Sequence, residues 1–223
     1  MSDVIINLRD IRTRIADACK QSSRDPSSVS LVAVSKMQST ADIQAALDAG
    51  QRVFGENRVQ EAQDHWAAIK PRYSDLELHL IGSLQTNKAT DAVALFDVIQ
   101  SVDREKLVDA LVIEMKKQNR PLPCYIQVNT GDEDQKGGVA PDLLQGLYNY
   151  AVNAGLKVTG LMCIPPIDQT PMFHFGLLAT WAKRLGLKNI SMGMSGDFED
   201  AIRCGATHVR IGSALFGARQ TIK

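Results

Sequence analysis

The sequence predicts an α/β protein in which eight short strands alternate with helices and close into one (β/α)8 barrel, with an extra helix at the N-terminus. Three observations carry this expectation. β-Rich runs recur eight times within 223 residues, and helical patterns fill the intervals. The runs are nearly continuous apolar stretches, as parallel strands covered on both faces require. The competing arrangement, an open doubly wound sheet, loses ground because no GxGxxG follows the first strand.

Taken in order, residues 1–20 place Val4, Leu8, Ile11 and Ile15 on one helical face, which is expected to pack across the outside or bottom of the barrel. Strands are expected at 30–35, 52–55, 77–81, 97–102, 124–129, 157–162, 189–193 and 207–211. Helices are expected at 40–49, 57–70, 85–95, 103–118, 141–154, 171–186 and 195–204. Thr40 and Asp103 stand where helices begin, and Leu107, Leu111 and Met115 share one face of the helix after Asp103. Gly50, Gly155, Gly186 and Gly205 each follow a helical run, where a left-handed cap favours glycine. No linker or low-complexity run divides the chain, so residues 1–223 read as one domain.

Lys+Arg and Asp+Glu both number 25, which argues against a nucleic-acid binder driven by charge. No run of 18 or more apolar residues suggests a membrane span, and the acidic start MSDVIINLRD does not resemble a secretory signal, so a cytoplasmic protein is expected. Cys19, Cys124, Cys163 and Cys204 are scattered without a CxxC pair, as expected of reduced thiols. The four histidines are equally dispersed, and no metal site is expected.

Chemistry enters with LVAVSKMQST (31–40), which ends a buried strand on Lys36. A lysine amine in a desolvated place loses its charge more easily and forms Schiff bases. Barrel active sites lie at the C-terminal ends of the strands, and phosphates are often held after strands seven and eight. The chain reads SMGMSGDFEDAI after strand seven and VRIGSALFG after strand eight. Gly193, Ser195 and Gly196 in one loop, and Gly212 and Ser213 in the other, suit phosphate. Ser195 is expected to cap the helix beginning near Asp197, and Asp197 and Glu199 are expected to face outward. Strand one neighbours strand eight in a closed barrel, so Lys36 would stand beside these loops. An amine one small molecule away from a phosphate anchor fits two ligands, pyridoxal phosphate or an aldolase's sugar phosphate. Arg210 bears on the choice. Facing the pyridine nitrogen, an arginine would keep that nitrogen unprotonated and the ring a weak electron sink. A salt bridge to a carboxylate is its plain structural alternative.

The segments AVSK (33–36), FGENRVQEA (54–62), HLIGSLQTNK (79–88), IQVNTGDEDQKGGV (126–139), GLMCIPP (160–166) and the two loops above together resemble the YggS/PROSC family of pyridoxal-phosphate-binding proteins, over about residues 5–219. A small departure falls in TGDEDQKGG (130–138), acidic with the one lysine Lys136. The resemblance implies a single TIM-type barrel like the alanine racemase N-terminal domain (pyridoxal phosphate fold type III). It further implies pyridoxal 5'-phosphate on Lys36 as an internal aldimine. Ser195, Gly212 and Ser213 would hold the phosphate and Arg210 would face the ring nitrogen, with Asn57, His79, Ile81 and Met192 lining the cofactor. From the residues alone, Asn57 could equally cap a helix, His79 could be a core histidine, Met192 could simply pack, and Gln85, Asn87 and Lys88 could start a solvated helix.

Racemases of this type use a second base, a tyrosine from an added β domain. The chain ends at Lys223, leaving no room for such a domain, and none of Tyr73, Tyr125, Tyr148 and Tyr150 sits at an obvious loop facing Lys36. The expectation is a monomeric, non-enzymatic carrier in intracellular pyridoxal phosphate homeostasis, with apo-enzymes as recipients and neither nucleic acid nor membrane as partner. A low-activity amino-acid racemase is the alternative, and a Schiff-base aldolase stands behind it.

Overall fold

A computed structural model describes residues 3–131, 133 and 137–217; Lys136 and the chain beyond 217 lie outside the described residues. Eight parallel strands close into a barrel in sequence order, β1 (Ser30–Val34), β2 (Val53–Glu56), β3 (Glu77–Leu80), β4 (Val98–Val102), β5 (Cys124–Val128), β6 (Val158–Cys163), β7 (Asn189–Ser191) and β8 (His208–Ile211). Ring closure pairs β1 with β8 from Ser30↔His208 to Ala33↔Ile211. The helices are α1 (Asp3–Gln21), α2 (Thr40–Asp48), α3 (Val59–Trp66), α4 (Ala89–Leu95), α5 (Glu105–Lys117), α6 (Leu144–Asn153), α7 (Pro171–Arg184), α8 (Phe198–Arg203) and α9 (Ser213–Phe216).

The expected order is observed, with local differences at the ends. Ser39, not Thr40, caps α2, its hydroxyl accepting from Asp42 N–H. Asp103 does not cap α5; its carboxylate pairs with Arg104. Thr86–Lys88 form an exposed 3-10 turn before α4, with Gln85 preceding it, rather than the helix's first turn. The glycines after α2, α6, α7 and α8 do take positive φ, from 68° at Gly186 to 100° at Gly205.

Period-two alternation sorts side chains into two compartments. Leu31, Phe54, Leu78, Leu80, Ile99, Ile126, Leu161 and Val209 point outward into the layer between barrel and helices. The interior differs. Beside a small apolar cluster of Val98, Tyr125 and Met162 it holds His79, Gln100, Ser191 and Arg210, all buried. Helix α1 lies outside the barrel, Asn7 and Arg14 tie it to Leu215 and Glu199, and Arg24, just past its end, bonds the Ile202 carbonyl. The four cysteines are free.

Candidate functional site

A cavity of about 530 Å³ opens among the loops at the C-terminal ends of the strands, the end at which barrels place their chemistry. Lys36, Asn57, Ile81, Ser195, Arg210, Gly212 and Ser213 all line it, as do Val34, Gln127, Ile164 and Met194. Among the described residues its charged lining groups are Lys36 and Arg210, with no carboxylate. An amine, a guanidinium, three serine hydroxyls and an apolar wall suit an anionic, flat ligand carrying a carbonyl. That donor set fits pyridoxal phosphate.

Two residues named from the sequence do not line the cavity. Met192 follows the inward-pointing Ser191, so alternation turns it outward into the apolar layer, where it is fully buried. His79 does point into the barrel, but one layer below Ile81. Its Nε2 lies 2.7 Å from Glu77 Oε1 and its Nδ1 2.6 Å from Gln100 Nε2, so it is a satisfied core histidine. Gln127, Ile164 and Met194 were missed, although Gln127 and Ile164 continue the inward alternation of β5 and β6 and could have been read from it.

The segment carrying Lys36 is held on both sides. Ser35 Oγ donates to Glu56 Oε1 at 2.6 Å, and Met37 N–H donates to Glu61. Met37 sits in the left-handed region, φ 57°, a strained conformation for a side chain of its size. Glu56 is fully buried and also accepts from Trp66 Nε1 and His65 Nδ1, each at 3.0 Å. The fold thus gathers Glu56, Glu61 and His65, whose ligand-type atoms lie within 4.8 Å of one another. The hydrogen bond to Glu56, ahead of the opposing effect of burial, raises the His65 pKa above its ordinary 6.5.

The two phosphate-type loops are joined directly. Ser195 does not cap the helix after β7. Its Oγ accepts from Ala214 N–H at 3.2 Å, linking the loop after β7 to the start of α9. Asp197 does not face outward either. It turns back to accept from Met194 N–H at 2.6 Å, and burial raises its pKa. Glu199 does face out, bonded to Arg14 at 2.7 Å. Gly193 takes φ 90°, and a Cβ there would stand 2.5 Å from Ala201 Cβ, so the turn entering this loop needs glycine.

Arg210 lies at the base of the cavity. Nη1 donates to Ser191 Oγ at 2.9 Å and Nη2 to the Cys163 carbonyl at 2.8 Å. No carboxylate among the described residues bonds to it. Tyr125 is deeper, its hydroxyl 3.3 Å from His208 Nε2, and burial raises its pKa. The His208 pKa is pushed down to about 4, chiefly by burial.

Comparison with known proteins fits this geometry. The alanine racemase N-terminal domain family matches residues 6–220. The pyridoxal phosphate homeostasis protein of Escherichia coli K12 is 37% identical over 235 residues, covering 100% of both chains. That of Haemophilus influenzae is 38% identical over 96% of this chain and 94% of its own. The structure of PipY from Synechococcus elongatus PCC7942 with pyridoxal phosphate bound superposes with a TM-score of 0.80 at 37% identity, covering 91% of this chain and 100% of that one. D-threo-3-hydroxyaspartate dehydratase from Delftia sp. HT23 shares the fold at 18% identity and a TM-score of 0.66, this chain spanning 58% of it. The chain therefore belongs to the alanine racemase N-terminal domain family and, within it, to the pyridoxal phosphate homeostasis proteins.

Proposed function

We propose that the protein binds pyridoxal 5'-phosphate in this cavity, covalently on Lys36, and serves intracellular homeostasis of the cofactor by buffering and delivering it. The observation that carries the reading is one cavity lined by Lys36, Arg210 and the linked Ser195/Gly212/Ser213 loops, with no acid among the described lining residues. Bound pyridoxal phosphate supplies an aldehyde that condenses with a primary amine and releases water. The chain's own residues hold and shield it. Ser195, Gly212 and Ser213 take the phosphate, Asn57 and Ile81 flank the ring, and Arg210 meets the ring nitrogen. The names of the Escherichia and Haemophilus relatives and the occupied Synechococcus structure support the ligand.

The protein acts as a carrier rather than an enzyme. An arginine at the ring nitrogen leaves the ring a weak electron sink. None of the described lining residues is a tyrosine that could serve as a second base, and Tyr125 is committed to His208 below the cavity. The working unit is one domain and a cytoplasmic monomer, with apo-enzymes that use the cofactor as its recipients.

The test is the visible absorption of the purified protein and of Lys36→Ala, with and without added pyridoxal phosphate. A visible band in the wild type that Lys36→Ala abolishes is expected. A wild type that stays colourless with added cofactor overturns the assignment. Amino-acid racemisation that disappears with Lys36→Ala would replace the carrier reading with a weak racemase.

A further inference from the structure

Beneath the cavity, four hydrogen bonds run in series through the buried barrel interior. Arg210 Nη1 meets Ser191 Oγ at 2.9 Å, and Ser191 Oγ meets Gln100 Oε1 at 2.6 Å. Gln100 Nε2 meets His79 Nδ1 at 2.6 Å, and His79 Nε2 meets Glu77 Oε1 at 2.7 Å. Arg210, Ser191, Gln100 and His79 are all buried, and only Glu77, at the start of β3, reaches solvent, its side chain 47% exposed.

The ends, together with a Gln100 amide whose oxygen faces Ser191 and whose nitrogen faces His79, fix the direction of the series. A guanidinium can only donate, so Ser191 accepts from Arg210, and with the Gln100 oxygen turned toward it Ser191 gives its own hydrogen to Gln100 Oε1. The Gln100 amide then presents its NH2 to His79, whose Nδ1 must accept. The remaining hydrogen of a neutral imidazole lies on Nε2 and is donated to Glu77. The His79–Glu77 contact is then a charge-assisted hydrogen bond from a neutral ring rather than an ion pair.

We infer that Ser191, Gln100 and His79 are positioning residues for Arg210, holding its guanidinium in one orientation under the ligand and coupling its charge to Glu77 at the opposite end of the barrel. This rests on the reading of the cavity as a pyridoxal phosphate site with Arg210 at the ring nitrogen. A buried guanidinium without a bonded carboxylate needs compensation, and aligned hydrogen bonds in a low-dielectric interior polarise one another. Beyond this series the guanidinium has, among the described residues, one further bond, to the Cys163 carbonyl, so cutting the series frees it to tilt.

The experiment compares wild type, Gln100→Leu and Glu77→Gln by two readouts. The first needs no ligand: the nitrogen shifts of 15N-labelled histidine in the apo protein give the His79 tautomer. The hydrogen is expected on Nε2 in the wild type; a hydrogen on Nδ1 overturns the series. The second is the loaded protein at fixed pH, read by the ratio of its visible to near-ultraviolet bands and by the rate of cofactor release. Gln100→Leu removes the bonds to Ser191 and His79 and leaves those buried groups unsatisfied beneath Arg210, so release about 10-fold faster or more is expected, with the band ratio altered although Lys36 is intact. Glu77→Gln keeps the hydrogen bond, changes only charge at a half-exposed position and is expected to move the band ratio in the same direction by less. Should Gln100→Leu fail to fold, Glu77→Gln decides: a band ratio identical to wild type overturns the coupling. A folded Gln100→Leu with wild-type bands and release overturns the positioning role. A wild type that shows no visible band defeats the cofactor reading itself, with the apo tautomer as a separate result.

Discussion

Among single residues, Glu56 is a fully buried carboxylate behind the segment that carries Lys36. Its Oε1 accepts from Ser35, Trp66 and His65, and its Oε2 has no hydrogen-bond partner among the described residues. Removing one donor from so buried an acceptor costs about 1–3 kcal/mol, so Trp66→Phe and His65→Ala should each destabilise by that order. The two differ in pH dependence. The bond to Glu56 holds the His65 pKa above 6.5, so the protonated ring stabilises the fold fully at pH below 6.5. That contribution disappears as pH rises through the folded value. His65→Ala should therefore cost more stability in mildly acidic than in alkaline buffer, whereas the cost of Trp66→Phe should not follow the charge of His65. Thermal unfolding of the three proteins at two pH values checks this. A His65→Ala deficit that is the same at both would refute the charge contribution. Because Glu56 bonds the serine that precedes Lys36, both variants should also loosen the Lys36 segment.

At the scale of the element, strand alternation explains both what was readable in the sequence and what was not. The strands, their order and the glycine stops at Gly50, Gly155, Gly186 and Gly205 were readable because apolar runs and left-handed caps are local signals. Lys36, Arg210 and the two small-residue loops were readable because strand ends in a closed barrel fix which loops meet. That Met192 and His79 do not line the cavity was not readable, because a resemblance carries residue identity but not the face a residue presents. One position separates the inward Ser191 from the outward Met192, and one layer separates Ile81 from His79. The partner of Ser195 was not readable either, since Ala214 is 19 positions away and joined only through the β7–β8 pairing. The same loop gives a prediction. Gly193→Ala puts a side chain at φ 90° and a Cβ 2.5 Å from Ala201 Cβ. The left-handed conformation alone costs about 1–2 kcal/mol, and the clash adds to it. At about 2–4 °C per kcal/mol for a chain of this length, the melting temperature should fall by several degrees, and cofactor retention should fall with it. Calorimetry and release kinetics would check this; an unchanged melting temperature would show that Phe198 and Ala201 can give way.

At the scale of the whole molecule, α1 links the outside of the barrel to the cavity. It buries Val4, Leu8, Ile11 and Ile15 and is tied to the two helices that follow the phosphate-type loops, Arg14 to Glu199 on α8 and Asn7 to Leu215 on α9, while Arg24, just past its end, bonds the Ile202 carbonyl on α8. Helix α5, by contrast, follows β4, and neither that strand nor its loop lines the cavity. Leu8→Ala on α1 and Leu107→Ala on α5 both empty buried leucine sites, and each should cost about 2–5 kcal/mol. Their effects on the ligand should part. Leu8→Ala loosens the support beneath α8 and α9, and with it the Ser195–Ala214 link, so pyridoxal phosphate should leave faster. Leu107→Ala should lower the melting temperature by a similar amount and leave the release rate near that of the wild type. If release instead tracks global stability in both variants, α1 contributes only to folding. If only Leu8→Ala releases the ligand, the helix outside the barrel is part of what holds the phosphate loops together.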